Sequence, residues 1–142
     1  MRLHHLAYAV EDIDKAADKF GLLGFVRDGE IVDDESRGVK IVFMELKEGA
    51  LPTRIELVAP LHKDSPVAGR LEDSKGVPVP YHLCFEVDEL EEACKALIEE
   101  GFLPISKALP APAIGDAPVQ FFFSGDAGLI ELVEVGKNEQ CV

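Results

Sequence analysis

Positive charge is scarce in this 142-residue chain: 14 lysines and arginines face 27 aspartates and glutamates, for a net charge of −13 at pH 7. Nucleic acids are held through a basic footprint, so this balance argues against a nucleic-acid partner. It leaves room for a small anionic substrate, which a few local cations such as Arg37, Arg54 or Lys107 can hold. Long apolar runs are missing too. None approaches the roughly 20 residues that a membrane-spanning helix needs, so no membrane association is expected. The opening MRLHHLAYAV is apolar, but it contains two histidines and no small-residue cleavage site, and it reads as a strand instead of a signal peptide. Cysteine is sparse. Cys84, Cys94 and Cys141 cannot all pair within one chain and none sits in a CxxC, which fits thiols in a reducing, cytoplasmic setting. Low-complexity segments are absent.

What is present is an ordinary globular composition, 47% apolar and 29% charged. A chain of this length buries about two-thirds of its unfolded surface and needs no disulfide staples, so a single domain over 1–142 is expected. The chain also repeats itself. The word IELV occurs at Ile55–Val58 and again at Ile130–Val133. HLAYAVEDIDKAADKFGLLGF, from His5, aligns without a gap on HLCFEVDELEEACKALIEEGF, from His82. Leu6, Val10, Ala16, Gly24 and Phe25 fall on Leu83, Val87, Ala93, Gly101 and Phe102. Each half reads as a histidine strand, a helix, two more strands and a glutamate strand. The expected fold is α+β: two tandem βαβββ modules, about 2–61 and 80–136, forming one curved, cup-like mixed sheet with the helices outside.

Local signals fill in this outline. Asp12 precedes a helix carrying Ile13, Ala16, Ala17 and Phe20, which Gly21 and Gly24 end. Asp88, with Glu91 three residues on, reads as the cap of the second helix, whose apolar face is Leu90, Ala93, Cys94, Leu97 and Ile98 and whose stop is Gly101. In the linker, about 62–79, Ser65 and Pro66 read as N-cap and first residue of a short helix; His62 is expected to be solvated. FLPISKAL reads as a strand, LPAPAIGDAP as a loop over one end of the sheet, and the polar tail after Val135 as frayed.

A carboxylate inside an apolar strand is costly unless it has a partner, and IELV contains one twice. Strand alternation supplies candidates. If Leu6, Tyr8 and Val10 face the helix, His5 faces away; if Ile55 and Leu57 face it, Glu56 faces away. His82 and Glu131 obey the same rule. Two modules related by a pseudo-twofold can then converge two imidazoles and two carboxylates on the concave side, as a site for one divalent ion. A mixed nitrogen and oxygen set suits Ni²⁺, Co²⁺, Zn²⁺ or Mn²⁺. His4 falls opposite Tyr81 in the repeat and is kept off the ligand set. Cys84 shares the face of His82 as a packing residue, and Glu86 as a carboxylate at the rim.

These paired words resemble the vicinal oxygen chelate superfamily, which includes glyoxalase I, ring-cleaving dioxygenases and bleomycin-resistance proteins. HHLAYAVEDID, RIELVAPL, YHLCFEVDELEEA and FFFSGDAGLIELVE look like its glyoxalase-like branch near methylmalonyl-CoA epimerase. The resemblance covers about residues 2–136. It implies metal ligands His5, Glu56, His82 and Glu131, and an isomerase that moves a proton on the carbon next to a carbonyl. Glu131 would be one base. The second would come from DDESRGV as Glu35, one residue further from Gly38 than in the epimerase pattern, with Arg37 as clamp for a substrate carboxylate or phosphate. The implied substrate is an acyl-CoA, or else a glutathione hemithioacetal for a glyoxalase I; a metal-free resistance protein would lack the four ligands. A homodimer is an expected assembly.

Overall fold

The computed structural model of the chain describes residues 1–136; Cys141 and nearly all of the tail expected to fray lie outside the described residues. Among these are nine strands and three α-helices. In chain order they are β1 (Arg2–Ala9), α1 (Ile13–Leu22), β2 (Val26–Asp34), β3 (Val39–Leu46), β4 (Thr53–Pro60), α2 (Pro66–Asp73), β5 (Val79–Val87), α3 (Leu90–Glu99), β6 (Leu103–Pro104), β7 (Leu109–Ala111), β8 (Ala117–Ser124) and β9 (Gly128–Glu134). The class is α+β: the first half is βαβββ, and the second is the same with its first strand after the helix broken into two short pieces, β6 and β7. The chain divides into two compact units: His5–Tyr81, and Met1–His4 together with the residues from His82 onward.

In the first unit the strands run β2-β3-β4-β1, antiparallel except for the parallel β1–β4 pair. One face carries the core: Val10, Ile13, Ala17, Val42, Met44, Ile55, Leu57 and Ala59, with Tyr8, Phe20, Phe25 and Ile31 against it. Helix α1 covers this face, as its apolar spacing requires. The Asp12 side chain accepts from the Lys15 amide at 3.0 Å and begins the helix as the sequence implies.

The second unit repeats the plan. β5 pairs with β9 in parallel, β9 with β8 antiparallel, and β8 with β6 and β7. Val87, Leu90, Cys94, Phe122, Ile130 and Leu132 form its core under α3. Both long helices stop in the same way. Gly24 and Gly101 take left-handed backbones (φ +98° and +88°), and the Phe25 and Phe102 amides donate back to Phe20 O and Leu97 O. This ending favours glycine and explains why Gly-Phe survives in both copies.

Four local expectations need correction. Helix α3 is capped one residue later than expected, at Glu89, without a side-chain bond; instead Glu134 Oε2, from β9, accepts the Leu90 amide at 2.7 Å. Ile98 leaves the apolar face and is exposed. Ser65 does stand before Pro66 at the start of α2, but its hydroxyl makes no capping bond and is buried with no hydrogen-bond partner among the described residues. The strand expected in FLPISKAL shrinks to Leu103–Pro104, and part of the expected loop becomes β7 and a 3-10 turn, Pro112–Ile114. Prolines at 104 and 110 lack the amide that a longer ladder needs, which accounts for the short pieces.

Candidate metal centre

In the first unit His5 and Glu56 come together on the sheet face opposite α1. The parallel register sets Ala7 beside Glu56, so His5, Ala7 and Glu56 share a face. His5 Nε2 lies 3.4 Å from Glu56 Oε2, and both side chains are almost wholly buried. The second unit builds the same pair. Cys84 stands beside Glu131 in the β5–β9 register, and His82 Nε2 is 2.9 Å from Glu131 Oε2, again buried.

An aromatic ring completes each pair, and sequence reasoning missed both. Phe43 is in register with Glu56, and Phe121 with Glu131. Phe43 meets the His5 imidazole edge-on at 5.1 Å between centroids, and Phe121 meets His82 at 5.2 Å. The positive edge of one ring against the face of the other holds each imidazole in one orientation. The signal was available: a phenylalanine occupies the third strand of each module, in VKIVFMEL and in VQFFF.

Beyond these trios the halves differ. Two residues before Glu56 stands Arg54, in register with Glu45; two before Glu131 stands Leu129, in register with Phe123. Arg54 donates to Glu45 Oε1 at 3.0 Å, lies 3.7 Å from Asp28 and covers the Phe43 ring at 5.8 Å. Its bond holds the Glu45 carboxyl below the usual carboxylate range. In the second half Phe123 is exposed, and the segment around β7 packs on the Glu131 side of the sheet, with Ala111, Ile114 and Ala117 against Cys84, Val119 and Val133.

The remaining candidates separate. Glu35 lies exposed in the turn between β2 and β3. Arg37, in the same turn, is largely buried, with Nη1 2.7 Å from Asp34 Oδ2. Glu86 is tied at 3.1 Å to Arg2, in keeping with a rim position. Lys107 is exposed. Cys94 is a buried thiol whose Sγ donates to Gln120 Oε1 at 3.3 Å, and burial raises its pKa. Cys84 is fully buried. His62 is exposed but rests against Gly38.

The donor chemistry fits a divalent ion. Each half offers one imidazole nitrogen and one carboxylate oxygen already drawn together in a water-poor setting, where a cation offsets the lost hydration of the carboxylate. Borderline ions take such mixed sets readily.

Comparison with known proteins places the chain in a family. Residues 4–123 match the family model described as Glyoxalase/Bleomycin resistance protein/Dioxygenase superfamily. The mitochondrial methylmalonyl-CoA epimerase of Homo sapiens is 35% identical over 92% of this chain and 72% of its own length. The ethylmalonyl-CoA/methylmalonyl-CoA epimerase of Cereibacter sphaeroides is 32% identical over 94% and 98%. A crystal structure of methylmalonyl-CoA epimerase from Mycobacterium tuberculosis superposes with a TM-score of 0.80, at 26% identity, over 99% of this chain and 92% of that one. A twice-built His–Glu–Phe trio, a doubled βαβββ fold and these relatives lead to one assignment: the chain belongs to the glyoxalase/bleomycin resistance/dioxygenase superfamily, with methylmalonyl-CoA epimerases among its homologues.

Proposed function

We propose that the chain is a divalent-metal-dependent epimerase acting on a 2-substituted malonyl-CoA such as methylmalonyl-CoA, with His5, Glu56, His82 and Glu131 as ligands of one ion. The observation that carries this reading is the duplication of one buried pair with the same aromatic partner: His5–Glu56–Phe43 and His82–Glu131–Phe121. A single strand histidine beside a glutamate is common; the same trio built twice on one repeat is not accounted for by packing. The names of the relatives supply the substrate class.

When bound, the ion supplies Lewis acidity for the carbonyl next to the reacting carbon. The chain's own groups do the rest. Glu131 is the base for the proton at C2, and Glu35, on the β2–β3 turn, is the second acid–base group, returning a proton from the other face. Arg37 holds an anionic group of the substrate. Nickel, cobalt, zinc and manganese are all compatible with the donor set. No helix among the described residues is long and apolar enough to cross a membrane; with thiols at Cys84 and Cys94, a cytoplasmic site of action is proposed. A homodimer is proposed as the assembly.

Metal analysis of purified protein, together with deuterium exchange at C2 of methylmalonyl-CoA, tests the reading. Wild type should hold one ion per chain and exchange the proton. His5→Ala and His82→Ala should each lose the ion and the exchange while remaining folded. Unchanged metal content in His82→Ala would refute the ligand assignment.

A further inference from the structure

We propose that Asp34 is a positioning residue that fixes the Arg37 guanidinium as the recognition point for an anionic group of the substrate. This rests on the epimerase reading for the identity of the substrate, but not for the geometry.

Asp34 is the last residue of β2 and is in register with Val39. Val39, Ile41 and Phe43 alternate onto one face of β3, and Phe43 is in register with Glu56. Asp34 therefore points to the face that carries His5 and Glu56. It is 2% exposed. The turn that follows donates to it three times: Ser36 Oγ at 2.7 Å and the Arg37 amide at 3.2 Å reach Oδ1, while Arg37 Nη1 reaches Oδ2 at 2.7 Å. From outside, the His62 imidazole closes on Gly38, where a Cβ would come within 2.9 Å of Nε2 and where φ is +66°. The turn is thus gripped from both sides, and the arginine it carries is folded back over it.

Stability explains why a cation stands beside this buried carboxylate, but not why it is a guanidinium from the same turn. The hydroxyl and the amide already satisfy one carboxylate oxygen and hold the turn. The guanidinium compensates the charge at the other oxygen, and in doing so a long side chain gives up its rotamer freedom. What the pair does provide is a planar fork with a fixed direction. In a chain of net charge −13, a fixed local cation is what an anionic substrate requires. Arg54 also lies on this face, paired with Glu45 and Asp28 on neighbouring strands and not with its own turn. Glu35, the neighbour of Asp34, is exposed.

The anion is a carboxylate of the acyl group or a phosphate of its carrier; both match the fork. Calorimetric titration of the protein as purified with three ligands separates them. Malonyl-CoA has both groups, malonyl-N-acetylcysteamine only the carboxylate, and acetyl-CoA only the phosphates. Arg37→Gln should weaken binding about tenfold or more for ligands bearing the recognised group and leave the third unchanged. Asp34→Asn, with the guanidinium intact, should show the same selective loss to a smaller degree. Arg37→Lys should not restore binding, because an ammonium lacks the fork. Should Asp34→Asn fold poorly, Asp34→Glu keeps the charge and displaces the fork, with the same selective loss expected. Wild-type affinity for all three ligands in the folded Asp34 variant, or an equal loss for all three accompanied by a lowered melting temperature, would overturn the proposal. A wild type that fails to exchange the methylmalonyl-CoA proton yet shows the selective losses would sink the epimerase reading and leave Asp34 in its role.

Discussion

A carboxylate in this protein is defined by what stands beside it more than by its position in the sequence. Glu56 and Glu131 face imidazoles, Asp34 faces a guanidinium, and Glu45 is paired with Arg54. The last of these carries a pH prediction. Because Arg54 lowers the Glu45 pKa, the pair stabilises the fold above the ordinary carboxylate range, and that contribution disappears as pH falls through the lowered folded value. Urea unfolding should therefore find Glu45→Gln less stable than wild type at neutral pH, with the gap closing in acid; a gap independent of pH would contradict the pairing. The faces of His5, Glu56, His82 and Glu131 were legible at this scale because a period of two needs only the neighbours of each residue to assign its face. Asp34 was not. A turn has no such period, so whether Asp34 or Glu35 points inward depended on where the strand ends, one residue either way.

Among the elements, the regular parts followed from pattern and the terminations did not. α1 begins at Asp12 as read, and both glycine stops hold. α3 was misread because the acceptor that serves its first turn lies far along the chain, on Glu134, where no local spacing can reveal it. Ser65 shows the converse, a textual cap without a capping bond. Glu134→Ala should therefore destabilise the protein by about 0.5–2 kcal/mol, the range for a lost cap. Ser65→Ala should be close to neutral or mildly stabilising, since it removes a buried hydroxyl that has no partner among the described residues. Chemical denaturation of the two variants side by side checks this; a larger loss at Ser65 would reverse the assignment.

For the molecule as a whole, the duplication was readable because two copies of a word at matching places constrain each other, whereas each copy alone resembles many strands. On the proposed ligand set its energetic counterpart is a stability that depends on bound metal. Anything that binds only the folded state raises stability by about 2.7 kcal/mol at a hundred times its dissociation constant. Removing metal with a chelator should lower the wild-type melting temperature, and restoring it should recover the loss. In Glu56→Ala and Glu131→Ala the chelator should change little, and a full chelator response in either variant would argue for ligands elsewhere.

Two like His–Glu–Phe trios have no left or right of their own, while an enzyme that inverts a stereocentre must tell its substrate's ends apart. The difference has to come from whatever the two copies no longer share. Around Phe43 the second ring of residues is salted, with Arg54 and Glu45; around Phe121 it is greasy, with Leu129 and Phe123. Drift since the duplication has thus left one trio with wet surroundings and the other with oily ones, and this is the inequality by which a lopsided molecule can tell the two copies apart.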